Sequence, residues 1–358
     1  MINEGGKLSP ETAAGEAAGG RATLNDVARL ARVSRQTVSN AINAPDLLRP
    51  ETLAHVQAAI EELGYRPDRN ARSLRTRRSG LIGFCTHRPR PDRLWGIFDR
   101  LLHAVADAAR REDYHVVVFT PENEERELDT YAGMLRTRNV DGFILTDVAA
   151  DDERPGWLRR QGAPFVSMGR TSDSRDPWVD VDGAAGVAEA VGHLVALGHR
   201  DIAFLGWPEG DRVGDERVSG WRAAIAHHGL AGTVTIMRDH DTLTTGYRAA
   251  GHLLDAPEPP TAVVAASDTM AVGALQAART RGVTVGRDLA LVGFDDTPSA
   301  ALLSPSLTSL AQPLEKVGHL LVENMAAQLA GRRPEPLQTL LEPMLMVRGS
   351  SCPPPAPR

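Results

Sequence analysis

Arg35, Gln36 and Asn40 fall within one short stretch, TLNDVARLARVSRQTVSNAIN over 23–43, and their groups match the edges of nucleic-acid bases. Arginine can give two parallel hydrogen bonds to guanine, and Gln or Asn can do the same for adenine. Ser34, Thr37 and Ser39 add hydroxyls suited to phosphate oxygens. These groups can read a groove only if a helix holds them outward together, and the spacing predicts such a helix. Thr23 stands three residues before Asp26, a capping-box interval that starts a first helix. Val27, Leu30 and Ala31 recur at helical spacing, Val33 is the buried turn residue, and Ser34 caps a second helix. Val38 and Ile42 take the inner face of that helix, which turns Arg35, Gln36, Ser39 and Asn40 outward. The competing reading is an ordinary solvated helix face.

The residues that follow extend the small domain. Pro50 suits the first turn of a third helix whose face of Leu53, Val56, Ile60 and Leu63 closes a three-helix core. Gly64 ends it and Pro67 prevents resumption. Beyond lies a basic segment with Arg69, Arg72, Arg75, Arg77 and Arg78. Residues 21–79 hold 11 Arg, no Lys and 6 acidic residues, a net +5, whereas residues 80–358 carry −9 within a chain of net charge −6. Basic charge is thus segregated onto one small domain, as a nucleic-acid footprint requires.

A chain of 358 residues exceeds one core and fits a small head plus a large domain. Cys85 and Cys352 make no disulfide framework, and no Cys or His spacing suggests a metal, so no metal and no cofactor are expected. The bland inference is a reducing cytoplasm. No apolar run reaches membrane-spanning length, so no membrane partner is expected, and the N-terminus lacks the apolar region of a secretory signal. Residues 1–20 and 351–358 read as disordered tails.

From Leu81 onward short apolar runs alternate with longer amphipathic ones, which predicts parallel sheets flanked by helices. The strands are LIGFCT, HVVVFT, GFILT, PFVSM, DIAFLG, TVTIMR, TAVVAA and LALVGF; the helices span 94–111, 124–138, 183–197, 213–228, 243–255 and 268–280. The pattern restarts near Val179, as if a second lobe opened there with its own strand and helix. Ligands in such folds bind beyond the carboxyl ends of strands, so two lobes would make the site a cleft.

The stretch 23–43, the third helix with its Gly-Tyr-x-Pro exit (Gly64, Tyr65, Pro67), and the strings DGFIL, LGHRDIAFLG, ERVSGW, AASDTMAVGAL, LALVGFDD and LTSLAQP together resemble the lactose-repressor (LacI/GalR) family of bacterial transcriptional regulators. The resemblance implies an all-α helix-turn-helix head (21–66), a hinge helix (67–79) and an α/β two-lobed, periplasmic-binding-protein-like core (80–350). Lobe 1 would span about 80–179 and 312–342, and lobe 2 about 180–311 and 343–350. It implies a homodimeric repressor on a pseudo-palindromic double-stranded operator, controlled by a small effector, a sugar or sugar derivative. An activator or a non-sugar effector is the alternative. Thr23, Ser34, Arg35, Gln36, Thr37, Ser39, Asn40, Tyr65, Asn70 and Arg75 would contact DNA, and Leu74 would wedge the minor groove from a hinge helix that forms on binding. Phe84, Trp95, Arg170, Arg217, Ser267, Asp295 and Gln312 would contact the effector. The opposed Arg217 and Asp295 suit vicinal hydroxyls, which both donate and accept. A surface pair of Arg217 with Asp215, and a turn-capping role for Asp295 and Asp296, are the competing readings.

The chain departs from the family pattern at several positions. Asn40 stands where many members carry arginine, which implies adenine over guanine at one half-site position. Arg32 replaces a turn glycine, at a strain of roughly 1–2 kcal/mol if it is left-handed. Arg49 replaces a hydroxyl cap, a loss of about 1 kcal/mol. Gly169, with Arg170 beside it, lies where sugar-binding relatives often have Asp, and the cleft-edge loop HRPRPDRLW is basic, so a phosphorylated or carboxylated effector stays open. An enzyme is not expected, because no GxSxG, Walker A, HExxH or GxGxxG motif occurs. A transport receptor would share the large domain but would need export.

Overall fold

The computed structural model describes residues 22–65, 78–86, 96–123, 126–230 and 235–354. Asn70, Leu74, Arg75 and Trp95 lie outside the described residues. The chain divides into two compact units, one through Arg77 and one from Arg78.

In the first unit, α1 (Leu24–Leu30), α2 (Arg35–Asn43) and α3 (Pro50–Glu62) surround one apolar cluster. Val27, Ala28, Ala31, Val38, Ala41, Val56 and Ala59 form its centre, with Ile42, Leu53, Ile60 and Leu63 packed around it. Leu30, expected inside, is 39% exposed, and Ala28 is buried instead, because three short helices crossing closely leave room for small residues. Arg32 is left-handed at φ 51°, as expected of a glycine replacement. Its strain is offset by the amide of Val33, which reaches back to the Ala28 carbonyl at 3.0 Å and closes the end of α1. Arg49 caps α3 without a side-chain bond, and Pro50 starts it.

The second unit holds two six-stranded sheets. The first contains β1 (Leu81–Cys85), β2 (His115–Phe119), β3 (Gly142–Leu145), β4 (Phe165–Met168), β5 (Trp178–Val181) and β11 (Gln338–Leu341), in the order β11-β5-β4-β3-β1-β2, all parallel. The second contains β6 (Ile202–Gly206), β7 (Ile236–Arg238), β8 (Ala262–Ala265), β9 (Ala290–Asp295), β10 (Thr308–Ala311) and β12 (Met344–Met346), in the order β12-β10-β9-β8-β6-β7. Only β12 runs antiparallel to its neighbour. The helices are α4 (Gly96–Arg111), α5 (Glu127–Arg136), α6 (Glu153–Gln161), α7 (Gly183–Ala196), α8 (Arg212–His227), α9 (Leu243–Leu254), α10 (Asp268–Thr280) and α11 (Leu314–Leu329).

Strand β5 corrects the reading that lobe 2 opens with a strand at Val179. Val179 pairs with Met168 and Thr339 in the first sheet, and the chain crosses only after Val181. Helix α7 is the first element of lobe 2; its Val187, Ala190, Val191 and Leu194 pack on the second sheet's core. The chain returns between β10 and α11, whose Val317, Leu321 and Met325 join the first lobe's core. It crosses a third time between β11 and β12. Three crossings leave the carboxyl ends of both sheets bordering one cleft.

Candidate functional site: a reading helix and an interlobe cleft

Helix α2 begins at Ser34, whose hydroxyl accepts the Thr37 amide at 3.1 Å and lies 2.9 Å from the Thr37 hydroxyl. Ser34, Arg35 and Gln36 are exposed, and Thr37, Ser39 and Asn40 half-buried. The Gln36 amide nitrogen donates to the Asn40 carbonyl oxygen at 2.9 Å. This bond holds the two side chains on one face and leaves the Gln36 carbonyl and the Asn40 amide nitrogen outward, an acceptor and a donor side by side. Adenine presents the complementary pair in a major groove.

Thr23 and Tyr65 are occupied within the head. Asp26 accepts the Thr23 amide at 2.9 Å and its hydroxyl at 2.6 Å, and these bonds hold the Asp26 carboxyl below its usual range. Tyr65 packs on the three-helix core.

In the core unit, α8, the end of β8 and the end of β9 converge. Arg217 on α8 is 5% exposed and lies in a slot left by Gly183, where a Cβ would come 3.1 Å from its Cγ. One guanidinium nitrogen donates to the Ala266 carbonyl, and the plane sits over the rings of Phe294 at 3.6 Å and Trp207 at 4.8 Å. Its Nη2 stands 4.0 Å from Asp295 Oδ1, and its Nε, buried, has no hydrogen-bond partner. The surface pairing with Asp215 is excluded, because Asp215 is bound by Arg238.

Asp295 ends β9 with φ 110°, a conformation strained for a side-chain-bearing residue. What holds it is the next turn: buried Asp268 accepts the Thr297 amide at 2.7 Å, the Thr297 hydroxyl at 2.8 Å and the Ser309 hydroxyl at 2.6 Å. Gln312 donates to Asp295 Oδ1 at 2.8 Å. Burial pushes the Asp295 carboxyl up to about 7, opposed by the Arg217 charge, and pushes Asp268 up to about 6. Ser267 caps α10 by accepting the Met270 amide at 3.1 Å, and its hydroxyl donates to Asp241. Asp241 also acts electrostatically on Arg217 and Asp295, so it belongs to the cluster.

The structure therefore brings Arg217, Ser267, Asp295 and Gln312 together and corrects one expected companion, Phe84. Phe84 is fully enclosed in the first lobe's core, its ring 5.5 Å from Phe98, because the β1 residues that face α4 fill that core. Arg170 is spent on two carboxylates, Asp180 at 3.1 Å and Glu216 at 2.5 Å. Sequence reasoning missed Asp241, Asp180, Arg212 and Glu216. Asp241 follows β7 at a strand's carboxyl end, a position that could have marked it. Among the described residues no group of His, Cys, Asp and Glu could hold a metal ion, and no helix is long and apolar enough to cross a membrane.

Comparison with known proteins sets this geometry in a family. Residues 23–68 match the model described as bacterial regulatory proteins, lacI family, and residues 191–351 that of a periplasmic binding protein-like domain. The HTH-type transcriptional regulator CelR of Thermobifida fusca is 34% identical over 336 residues, which cover 92% of this chain and 98% of CelR. The chain belongs to the LacI family of bacterial regulatory proteins. The regulator is also 34% identical to the HTH-type transcriptional regulator MalR of Streptomyces coelicolor, over 94% of its own length and 98% of MalR. Among solved structures, a CelR–cellobiose complex is similar at 32% identity and TM-score 0.69, covering 92% of this chain and all of that one. A lac repressor dimer bound to operator and the anti-inducer ONPF is similar at 27% identity and TM-score 0.77, over 93% of this chain and all of that one. The regulator is thus a helix-turn-helix DNA-binding protein with a two-lobed α/β core.

Proposed function

We propose that the regulator is a homodimeric repressor that acts in the cytoplasm and whose affinity for a pseudo-palindromic operator is set by an uncharged, polyhydroxylated effector, a sugar, bound between the lobes. The head reads half-sites through Arg35, Gln36 and Asn40, with Ser34, Thr37 and Ser39 on phosphates. Residues 67–79 serve as the hinge, with Leu74 as the wedge between Asn70 and Arg75. Arg217, Asp295 and Gln312 hold the effector.

The Arg217–Asp295 pair carries this reading. Arg217 offers a donor in Nε with no protein partner, Asp295 offers acceptor oxygens, and a pair of vicinal hydroxyls can satisfy both. The neutrality of the effector follows from the charges around it. Arg170 and Arg212 are each bound by Asp180 and Glu216, which leaves Arg217 facing Asp295 and Asp241, with Asp268 acting on Asp295. A phosphate or carboxylate would enter a site already rich in carboxylates, at a Coulombic cost in a poorly hydrated setting. The complex of cellobiose with the similar CelR protein supports a sugar, and the similarity to an operator-bound lac repressor dimer supports the assembly.

Deletion of residues 1–77 tests the division of labour. The core, titrated calorimetrically with cellobiose and a panel of neutral and phosphorylated sugars, should bind a neutral sugar and no duplex. A core that binds only sugar phosphates, or retains duplex binding, would refute the proposal.

A further inference from the structure

Four charged side chains close into a ring across the cleft, two from each lobe. Lobe 1 supplies Arg170, just after β4, and Asp180 in β5. Lobe 2 supplies Arg212 and Glu216, one turn apart on α8. Inside each lobe the guanidinium meets its own acid: Arg170 Nε to Asp180 Oδ2 at 3.1 Å, and Arg212 Nη1 to Glu216 Oε2 at 3.8 Å. Between the lobes the partners are exchanged: Arg170 Nη2 to Glu216 Oε1 at 2.5 Å, and Arg212 Nη1 to Asp180 Oδ2 at 3.3 Å. Arg212 Nε also donates to the Val148 carbonyl of lobe 1 at 3.4 Å. Asp180, Arg212 and Glu216 have side chains 11%, 18% and 17% exposed, which limits screening.

Gly169 leaves room for this arm. A Cβ there would come 2.9 Å from Arg212 Nη2, the end of a flexible side chain, and φ is 108°, so a side chain at this position would be strained and Arg212 would have to shift.

We infer that these four residues form an ionic clasp that sets the equilibrium between closed and opened lobes, and through it the strength of the effector response. Breaking a buried ion pair normally strands a charge, which is strongly destabilising. Here opening strands none: it separates Arg170 from Glu216 and Arg212 from Asp180, but each lobe keeps one guanidinium beside one carboxylate. The two positions therefore differ by a small free energy, which is what a two-state element governed by a weakly held ligand needs. Part of this inference, the link to the effector, rests on the cleft reading above. The clasp itself is testable without ligand.

The experiment is hydrogen exchange on the full-length, sugar-free protein, read at the amides of Val148–Asp151 and Gly169–Thr171, at low salt and at about 1 M NaCl, where the screening length falls to about 3 Å. Glu216→Gln should lower protection there about fivefold, the equivalent of about 1 kcal/mol, and salt should lower wild type more than the variant, in which only the Arg212–Asp180 pair across the cleft remains to be screened. Arg170→Glu should open the lobes further. The double exchange Arg170→Glu with Glu216→Arg should instead exceed wild-type protection. It places two acids in lobe 1 opposite two arginines in lobe 2, so that only the closed position relieves like-charge contacts. A merely local role for these side chains makes the double variant the least protected of all, and that ordering, or equal protection in wild type and Glu216→Gln at low salt, would overturn the clasp. Altered exchange without any sugar binding would retire the cleft reading and leave the clasp standing.

Discussion

Replacing Arg217 with methionine keeps an unbranched stem in the Gly183 slot and removes the guanidinium. Three groups would be affected at once. The Ala266 carbonyl loses its donor, the faces of Phe294 and Trp207 lose a cation, and Asp295 loses the positive charge that opposes its burial. Protein stability should fall, because Asp295 is left buried without its cation and the Ala266 carbonyl without its donor, a loss only partly offset by the desolvation cost that leaves with the guanidinium; burial already lowers the Arg217 pKa. Effector binding should change as well. On the proposed function, the buried Nε without a protein partner and the Nη2 facing Asp295 are the donors that a ligand would meet. A hydrogen bond from a charged group contributes about 1.5–3 kcal/mol, so the loss of one weakens binding by roughly 10- to 150-fold. Calorimetry with the panel of neutral sugars measures that factor, and fluorescence anisotropy with the operator measures DNA affinity. We expect operator affinity in the absence of sugar within about twofold of wild type, since the substitution lies in the core unit. An unchanged sugar affinity, or an equal loss in sugar and operator binding, would refute the assignment of Arg217 to the effector.

Three further outcomes are expected. Leu74→Ala should remove most of the preference for operator over random duplex while leaving nonspecific affinity nearly intact, and an equal loss in both, measured by anisotropy, would count against the wedge. Asn40→Arg breaks the bond from Gln36 and should shift one half-site position from adenine toward guanine, a discrimination of about 1–3 kcal/mol; an unaltered motif in duplex selection would remove Asn40 from the reading set. The Asp295 carboxyl, raised to about 7 in the fold, holds a proton that the unfolded chain releases near 4. Its contribution is therefore present in acid and lost as pH rises toward 7. Thermal unfolding between about pH 5 and 8 should accordingly show wild type losing stability relative to Asp295→Asn as pH rises, and parallel curves would contradict the burial argument.

The sequence showed the head clearly because its signals are local. Caps at Thr23 and Ser34, a Pro at position 50 and helical periodicity all act within a few residues. Leu30 escaped that logic, since which apolar residue is enclosed depends on how the three helices cross. Helix α6 was hidden by Pro155 and Gly156, yet Pro155 lies in the first turn, where its missing amide donor is not needed. The lobe boundary was misread because β5 lies between two parallel strands of the first sheet, a pairing that strand patterns alone do not reveal. Close packing was equally silent: a Cβ on Gly246 would come 2.5 Å from the Met270 carbonyl oxygen, so α9 and α10 touch backbone to backbone. In the cleft, Arg217, Asp295 and Gln312 were accessible through family resemblance. The clasp was not, because Arg212 and Glu216 at a four-residue interval look like any solvated helix pair, and their partners belong to the other lobe.

Selection of bound DNA from random duplexes by the full-length protein, followed by titration of the winning duplex in increasing salt, with and without each neutral sugar of the panel, tests the central claim most directly. The account predicts a two-fold symmetric motif, an affinity that falls steeply with salt as arginine-bound phosphates regain counterions, and a several-fold change in affinity when the sugar is added. No symmetric motif, or a motif whose affinity no neutral sugar alters, would contradict it.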